Sequence, residues 1–167
     1  MVSQIDYDDF IKKLDERLQK YFDAFAGSVG CKKGCSLCCE KGDYPLSDIE
    51  LEYLIKGYIK LNNEIKLKVQ QNIKNMKKGG QCPFLVNKEC SIYKYRPIVC
   101  RVHGLAYVCR DNVVKVPYCA NEGLCYKESY ENNEFIGKPV LENLDTNALL
   151  KDYPCEIRNL YDWIDKF

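Results

Sequence analysis

The chain has 167 residues, with 25 Lys and Arg, 24 Asp and Glu, and a formal net charge of +1. This length is that of one domain, and so balanced a charge excludes a protein that is drawn to nucleic acid or to an anionic membrane by its overall field. The unusual feature is 11 cysteines beside a single histidine, which indicates that the function depends on sulfur.

Two helices are expected in the first sixty residues. An amphipathic helix over 4–26 follows from apolar residues that recur at steps of three and four, with Gly27 as a stop. A second helix is predicted over 48–60, because Ser47 and Glu50 have the capping-box pattern, in which each side chain satisfies a backbone donor of the other residue.

A third helix is expected to begin after Asn62-Asn63 and to end at Gly79-Gly80. Its apolar residues lie on one face and lysines occupy the other. We interpret the lysine face as solvated rather than as an RNA-binding patch, because charged helix faces usually serve solvation.

Short strands and turns are predicted in the middle of the chain, where β-branched and aromatic segments replace helical patterns. Asn87-Lys88 and Asp111-Asn112 each separate two apolar runs, which predicts two hairpins with two-residue turns. The first hairpin would bring Cys82 and Cys90 to the same end. Residues 126–138 are interpreted as a polar connection.

Two short helices are predicted to close the chain over 140–166. The last would have Pro154 in its first turn and an apolar face that includes Ile157 and Leu160. The predicted fold is therefore mainly α with a small irregular or β Cys-rich section over 31–125. We expect a single compact, metal-stapled domain.

Four cysteines lie within nine residues in the order CxxxCxxCC; these are Cys31, Cys35, Cys38 and Cys39. Short spacers let one turn of chain direct several sulfurs at one centre. Adjacent side chains diverge by about 100° on a helix, so Cys38 and Cys39 are not expected to be two ordinary ligands of one ion. Either one of them bridges to a second metal, or one is not a ligand.

A second set of cysteines follows at Cys82, Cys90 and Cys100, and Cys119 is a candidate eighth ligand. The two middle helices lie between the sets and should form an antiparallel pair. Such a pair returns the chain to its starting point, so seven or eight thiols can converge on one region.

At these residues the sequence resembles the YkgJ-type cysteine-cluster proteins, a bacterial family described as a zinc- or iron-chelating domain. The matching signatures are CxxxCxxCC, the CPFL that begins at Cys82, the CxIY that begins at Cys90, and the RPxxCR that surrounds Cys100. Cys119 corresponds to a further downstream cysteine of the family. The resemblance implies these eight cysteines as metal ligands, and leaves Cys109, Cys125 and Cys155 as core thiols.

Three further residues are candidates for contacts with a bound cofactor. Arg96 and Arg101 flank Cys100, where guanidinium groups could donate hydrogen bonds to sulfur; ordinary ion pairs are the alternative. His103 is the only imidazole of the chain, and it is a candidate ligand or a donor to a ligand.

The cysteine pattern predicts a metal-binding protein that holds an iron-sulfur cluster or zinc and that could act in electron transfer. Zinc with four thiolates would be structural, whereas the dense thiols and the adjacent pair favour iron-sulfur. Two alternatives remain open. One is a zinc-stapled module that binds a protein or RNA, and the other is a small metal-dependent oxidoreductase or transferase.

A cytoplasmic location is expected from the odd cysteine count and from the first residues. Asp6, Asp8 and Asp9 occupy the region where a secretory signal needs positive charge and then an apolar run. In a reducing compartment, clustered cysteines bind metal more often than they form disulfides. The expected partners are metal ions and a redox or protein partner, and neither a membrane nor nucleic acid is expected.

Overall fold

A computed structural model describes residues 4–31, 34–132, 134–153 and 155–167. It is about 46% helical with small strand sections, which confirms the mainly α prediction. The chain divides into two compact units: unit 1 comprises Met1–Lys32 with Arg101–Tyr153, and unit 2 comprises Lys33–Cys100 with Pro154–Phe167. Within the described ranges, no helix is long and apolar enough to cross a membrane.

The elements follow one another as short pieces after a long first helix. In chain order they are α1 (Gln4–Ala24), α2 (Leu37–Glu40), β1 (Pro45–Ser47), α3 (Asp48–Ile59), α4 (Asn63–Lys74), β2 (Leu85–Val86), β3 (Glu89–Cys90), α5 (Ile98–Val102), β4 (Tyr107–Val108), β5 (Val114–Lys115), α6 (Tyr118–Asn121), β6 (Tyr130–Glu131), β7 (Glu134–Phe135), α7 (Thr146–Leu149) and β8 (Ile157–Asn159). Turns of 3-10 helix occur at Tyr93–Tyr95, Arg110–Asn112 and Leu160–Lys166.

In unit 1, α1 buries the apolar stripe that its periodicity predicts. Tyr7, Ile11, Leu14 and Leu18 are each at most 3% exposed, and their spacing places them on one face of a helix. The helix ends two residues before the predicted end, because the N–H of Ala26 bonds the carbonyl of Asp23 rather than continuing the α-helical pattern.

In unit 2, α3 begins with the predicted capping box. The Ser47 hydroxyl accepts from the Glu50 N–H, and the Glu50 carboxylate accepts from the Ser47 N–H. The next helix, α4, ends at Lys74, five residues before the predicted glycine stop. The N–H of Asn75 there bonds the carbonyl of Asn72, a tighter turn that terminates the α-helix.

Both predicted hairpins are present. In the β2–β3 hairpin, Asn87 and Lys88 have φ of 53° and 63°, and in the β4–β5 hairpin, Asp111 and Asn112 have φ of 65° and 58°. In the first hairpin these two left-handed residues form the predicted two-residue turn, whose twist matches that of the flanking strands. In the second hairpin the N–H of Cys109 bonds the carbonyl of Val113, so the loop has three residues, 110–112, rather than the two that were predicted. Register pairs Leu85 with Cys90, so Cys90 is fixed by backbone pairing.

The end of the chain differs from the prediction at two places. The predicted polar connection over 126–138 contains a third hairpin, in which Tyr130 pairs with Phe135. The predicted last helix is wrong, because Ile157 pairs with Ser47 in the β1–β8 ladder and a 3-10 helix follows. The expectation about Pro154 lies outside the described residues.

The core of unit 2 packs β1, α3, α4, the first hairpin and the C-terminal 3-10 helix around buried aromatic and aliphatic side chains. Its buried members are Tyr44, Leu46, Leu51, Leu54, Val69, Cys82, Phe84, Val86, Ile92, Leu160 and Trp163. Cys39 and Cys90 pack against this core while remaining partly exposed. Two cysteines of the predicted metal set are thereby held at its edge.

Candidate metal centre

Five predicted ligands of unit 2 lie near one another, and we call them the unit-2 thiols: Cys38, Cys39, Cys82, Cys90 and Cys100. Thiolates at Cys38, Cys82 and Cys90 each raise the pKa of Cys100, after the larger effect of its burial. Such mutual repulsion acts only between neighbouring charges. A cation among these sulfurs would relieve it.

The adjacent cysteines Cys38 and Cys39 direct their sulfurs toward each other. Their Sγ atoms are 3.8 Å apart on the short helix α2. Two thiolates on one tetrahedral zinc, each about 2.3 Å from the metal, stand about 3.8 Å apart. The divergence expected from the backbone does not separate these sulfurs, so both can serve one ion.

The Cys38–Cys39 pair shares one proton unequally. A hydrogen bond from the Cys39 thiol to the Cys38 sulfur lowers the pKa of Cys38 to about 7. The same hydrogen bond raises the pKa of Cys39, and burial raises it further. Cys38 is therefore the thiol of the pair that loses its proton first.

Backbone hydrogen bonds join the segment of Cys39 to that of Cys82. The N–H of Cys82 donates to the carbonyl of Cys39 at 2.8 Å. The buried hydroxyl of Tyr44 donates to the same carbonyl at 3.1 Å and lies 3.2 Å from the carbonyl of Gly80. Burial and then the surrounding thiolates raise the pKa of Tyr44, so the hydroxyl remains a donor.

Three separate segments contribute the other unit-2 thiols: the segment before β2 carries Cys82, β3 carries Cys90, and α5 carries Cys100. Burial raises the pKa of Cys82 to about 12 and raises that of Cys100 well above its usual value. The Arg96 charge acts in the opposite direction on Cys38, Cys90 and Cys100, as a smaller effect than burial. The positive charge of Arg96 therefore offsets part of the thiolate charge in this cluster.

The other three predicted ligands are divided between the two units. Cys35 belongs to unit 2 and is exposed. Cys31 and Cys119 belong to unit 1, where the Sγ of Cys119 lies 3.1 Å from the Sγ of Cys125. Cys125 lies outside the recognised pattern, and its CxxxxxC spacing from Cys119 is the sequence feature that relates the two thiols.

Arg101 and His103 lie in unit 1. The Arg101 guanidinium is 2% exposed and donates to the Asp15 carboxylate on α1 at 2.6 Å. The Nε2 atom of His103 is buried and has no hydrogen-bond partner among the described residues. Burial, and then the charge of Lys115, lower the pKa of His103, so its imidazole is neutral and able to ligate.

Cys109 and Cys155 lie beside carboxylate and hydroxyl groups. The Asp145 carboxylate lies near Cys109, and the Ser47 hydroxyl bonds Cys155. Burial, and then the charge of nearby carboxylates, raise the pKa of each thiol. A negative neighbour disfavours a thiolate, so both thiols ionise less readily than a free cysteine.

The donor set fits a thiophilic metal by its chemistry. Within 4–31, 34–132, 134–153 and 155–167, no three Cys, His, Asp or Glu side chains already stand where they would hold an ion. The unit-2 thiols are nevertheless soft sulfur donors of the kind that selects zinc or iron-sulfur centres. Ion binding would therefore draw sulfurs together that the fold has already brought into one region.

Clustered sulfur donors of this kind define a thiolate metal-binding protein. Residues 30–135 match the family model CxxCxxCC, described as a putative zinc- or iron-chelating domain, and the chain belongs to this family. Metal binding is thus supported both by the donor chemistry and by the family.

One relative is an uncharacterized protein of Methanocaldococcus jannaschii. It is 28% identical over 116 residues, which make up 64% of this chain and 62% of the relative. The chain therefore spans less than two thirds of that protein's length. No solved structure matches the chain.

Proposed function

We propose that the chain is a zinc-binding protein in which the unit-2 thiols hold a tetrahedral, structural ion. The observation that carries this proposal is the 3.8 Å separation of the Cys38 and Cys39 sulfurs. That separation matches two ligands of one tetrahedral ion. Cys82 and Cys100 complete a set of four.

Zinc held by four thiolates serves to stabilise the fold. Such a site has no open coordination position for water or substrate, and zinc has no redox chemistry. The ligands come from α2, from the segment before β2 and from α5. An ion that joins these three pieces couples metal binding to folding.

The test is metal reconstitution of reduced protein. Apo protein is titrated with Zn²⁺ or Co²⁺ and examined by metal analysis and by thiolate-to-cobalt absorption. We expect tight binding that is lost in a Cys38→Ser/Cys39→Ser double variant and retained in Cys155→Ser, a control thiol of the same unit. Wild-type protein that takes up neither metal would refute the proposal.

An iron-sulfur centre is the second candidate, because unit 2 offers more sulfur than one ion needs. Cys90 and the exposed Cys35 remain after four ligands are assigned. A polynuclear cluster uses additional thiolates and would permit electron transfer to a redox partner. Anaerobic reconstitution with iron and sulfide distinguishes the two candidates. Stable visible absorption together with stoichiometric bound sulfide would favour the iron-sulfur centre over the zinc site.

A further inference from the structure

Unit 1 contains a buried pair of thiols, one of which, Cys119, belongs to the recognised pattern, whereas the other, Cys125, does not. Cys119 and Cys125 are 5% and 3% exposed, and their sulfurs are 3.1 Å apart. Cys119 lies on α6, and the N–H of Leu124 bonds the Cys119 carbonyl, which folds the chain back on itself. This turn brings Cys125 against Cys119.

The segment that carries a third thiol, Cys31, lies beside this pair. The N–H of Tyr126 donates to the carbonyl of Ser28 at 2.7 Å. A Cβ on Gly30 would collide with the carbonyl of Leu124 and would lie 3.5 Å from the Cβ of Cys125. The approach of these two backbones places Cys31, the next residue, beside Cys125.

The sulfur of Cys31 occupies a space that exists only because residue 104 is glycine. Gly104 has φ of +101°, and a Cβ there would collide with the Cys31 sulfur. The Cys31 thiol donates to the carbonyl of His103 at 3.7 Å. The segment that carries the one imidazole of the chain is thereby joined to the segment that carries Cys31.

We propose that Cys31, Cys119 and Cys125, with His103 as the nitrogen donor, form a second site for a zinc-like divalent cation, within unit 1. Three sulfurs and one imidazole nitrogen are a common ligand set of structural zinc. The buried His103 Nε2, which lacks a partner among the described residues, is the expected fourth donor. This inference rests on the proposed function in one respect, which is the class of metal that the thiols would bind.

The sulfur pair of this site is accessible to an ion. Cys125 lines a cavity of about 210 Å³ together with Gly30 and Lys127, which gives an ion a path to the sulfur pair. The 3.1 Å between the Cys119 and Cys125 sulfurs is shorter than the roughly 3.8 Å of two thiolates on zinc, so the pair would open to bind.

The experiment is a Co²⁺ titration of reduced, full-length protein. We expect two ions per chain in the wild type and one in Cys125→Ser, with Cys109→Ser, another thiol of unit 1, retaining two. Cys38→Ser/Cys39→Ser should instead lose the unit-2 ion and retain the unit-1 ion. Circular dichroism reports whether each variant is folded.

The outcomes separate the two proposals. If only the Cys38/Cys39 variant loses an ion, the proposed function stands and the unit-1 site is overturned. If only Cys125→Ser loses an ion, the unit-1 site stands and the proposed function is overturned. Should Cys125→Ser unfold, ¹¹³Cd NMR of the wild type and of His103→Gln replaces it. Two wild-type resonances, of which His103→Gln shifts one, support the site; a single resonance, or two that His103→Gln leaves unmoved, overturns it.

Discussion

The carboxylate of Glu50 accepts a hydrogen bond from the backbone N–H of Ile98 at 2.7 Å. Its other oxygen accepts from the N–H and the hydroxyl of Ser47, at 2.7 and 2.9 Å. Glu50 is fully buried. One side chain therefore both caps α3 and fixes the first turn of α5, the helix that carries Cys100.

Replacing Glu50 by Gln is expected to destabilise the fold. The amide offers one acceptor oxygen where the carboxylate uses two, and its NH₂ group must face a backbone donor. An unsatisfied buried group costs about 1–3 kcal/mol, which urea denaturation would measure as a lower free energy of unfolding. The exposed Glu52→Gln on the same helix is the matched control, and equal stability of the two variants would contradict the expectation.

Tyr44→Phe is expected to weaken metal binding more than folding. The variant removes the hydroxyl that donates to the Cys39 carbonyl near Gly80, while the ring remains in the core. Loss of one hydrogen bond costs about 1 kcal/mol, but groups that orient ligands typically affect affinity by about 10–100-fold. Competition with a chromophoric chelator measures the affinity. Tyr161→Phe, at a more exposed ring, should change neither quantity; unchanged affinity in Tyr44→Phe would exclude a positioning role.

Metal affinity is expected to rise with pH and to release protons. Burial raises the pKa of Cys82 to about 12, and also that of Cys100, so both thiols are protonated in the metal-free protein at neutral pH. Each must lose its proton to bind, so affinity should increase about tenfold per pH unit for each proton released. Calorimetry in buffers of different ionisation enthalpy counts the protons. A count of zero at pH 7 would show that the thiols are already ionised.

Asp145 is expected to contribute stability that is lost in acid. Burial acts to raise its pKa, but hydrogen bonds from Tyr107 and Lys115, at 2.8 and 3.1 Å, prevail and hold the pKa below its ordinary value. A depressed folded-state pKa stabilises the protein above the unfolded value near 4, and that contribution disappears as pH falls through the folded value.

The corresponding measurement is the free energy of unfolding of Asp145→Asn between pH 3 and 7. The variant should be less stable than the wild type at pH 7 by about 1 kcal/mol, and the difference should shrink toward pH 3. The exposed Asp152→Asn is the control. A difference that stays constant over this range would mean that Asp145 acts through packing rather than charge.

Local sequence signals predicted the elements that local chemistry decides. Ser47 and Glu50 form their capping box because both partners lie within one helical turn. Asn87-Lys88 and Asp111-Asn112 adopt left-handed conformations that Asn and Asp tolerate well, and the hairpins follow from those turns.

The elements that the sequence did not predict depend on contacts with other segments of the chain. Residues 157–159 have the spacing of a helix face, yet they form β8 because β1 offers an unpaired edge. The third hairpin has strands as short as those of the first two, but polar residues surround its turn at Asn132, where the first two hairpins have apolar runs. Cys125 approaches Cys119 through a turn at Gly123, which no periodicity reveals.

The β1–β8 pairing sets an order of events during synthesis. Leu46 pairs with Arg158, which the ribosome adds 112 residues later. At about 5–20 residues per second, β1 would wait on the order of ten seconds for its partner. During that interval, the five unit-2 thiols and an open strand edge are exposed together to solvent or to a chaperone, and early metal capture would protect them.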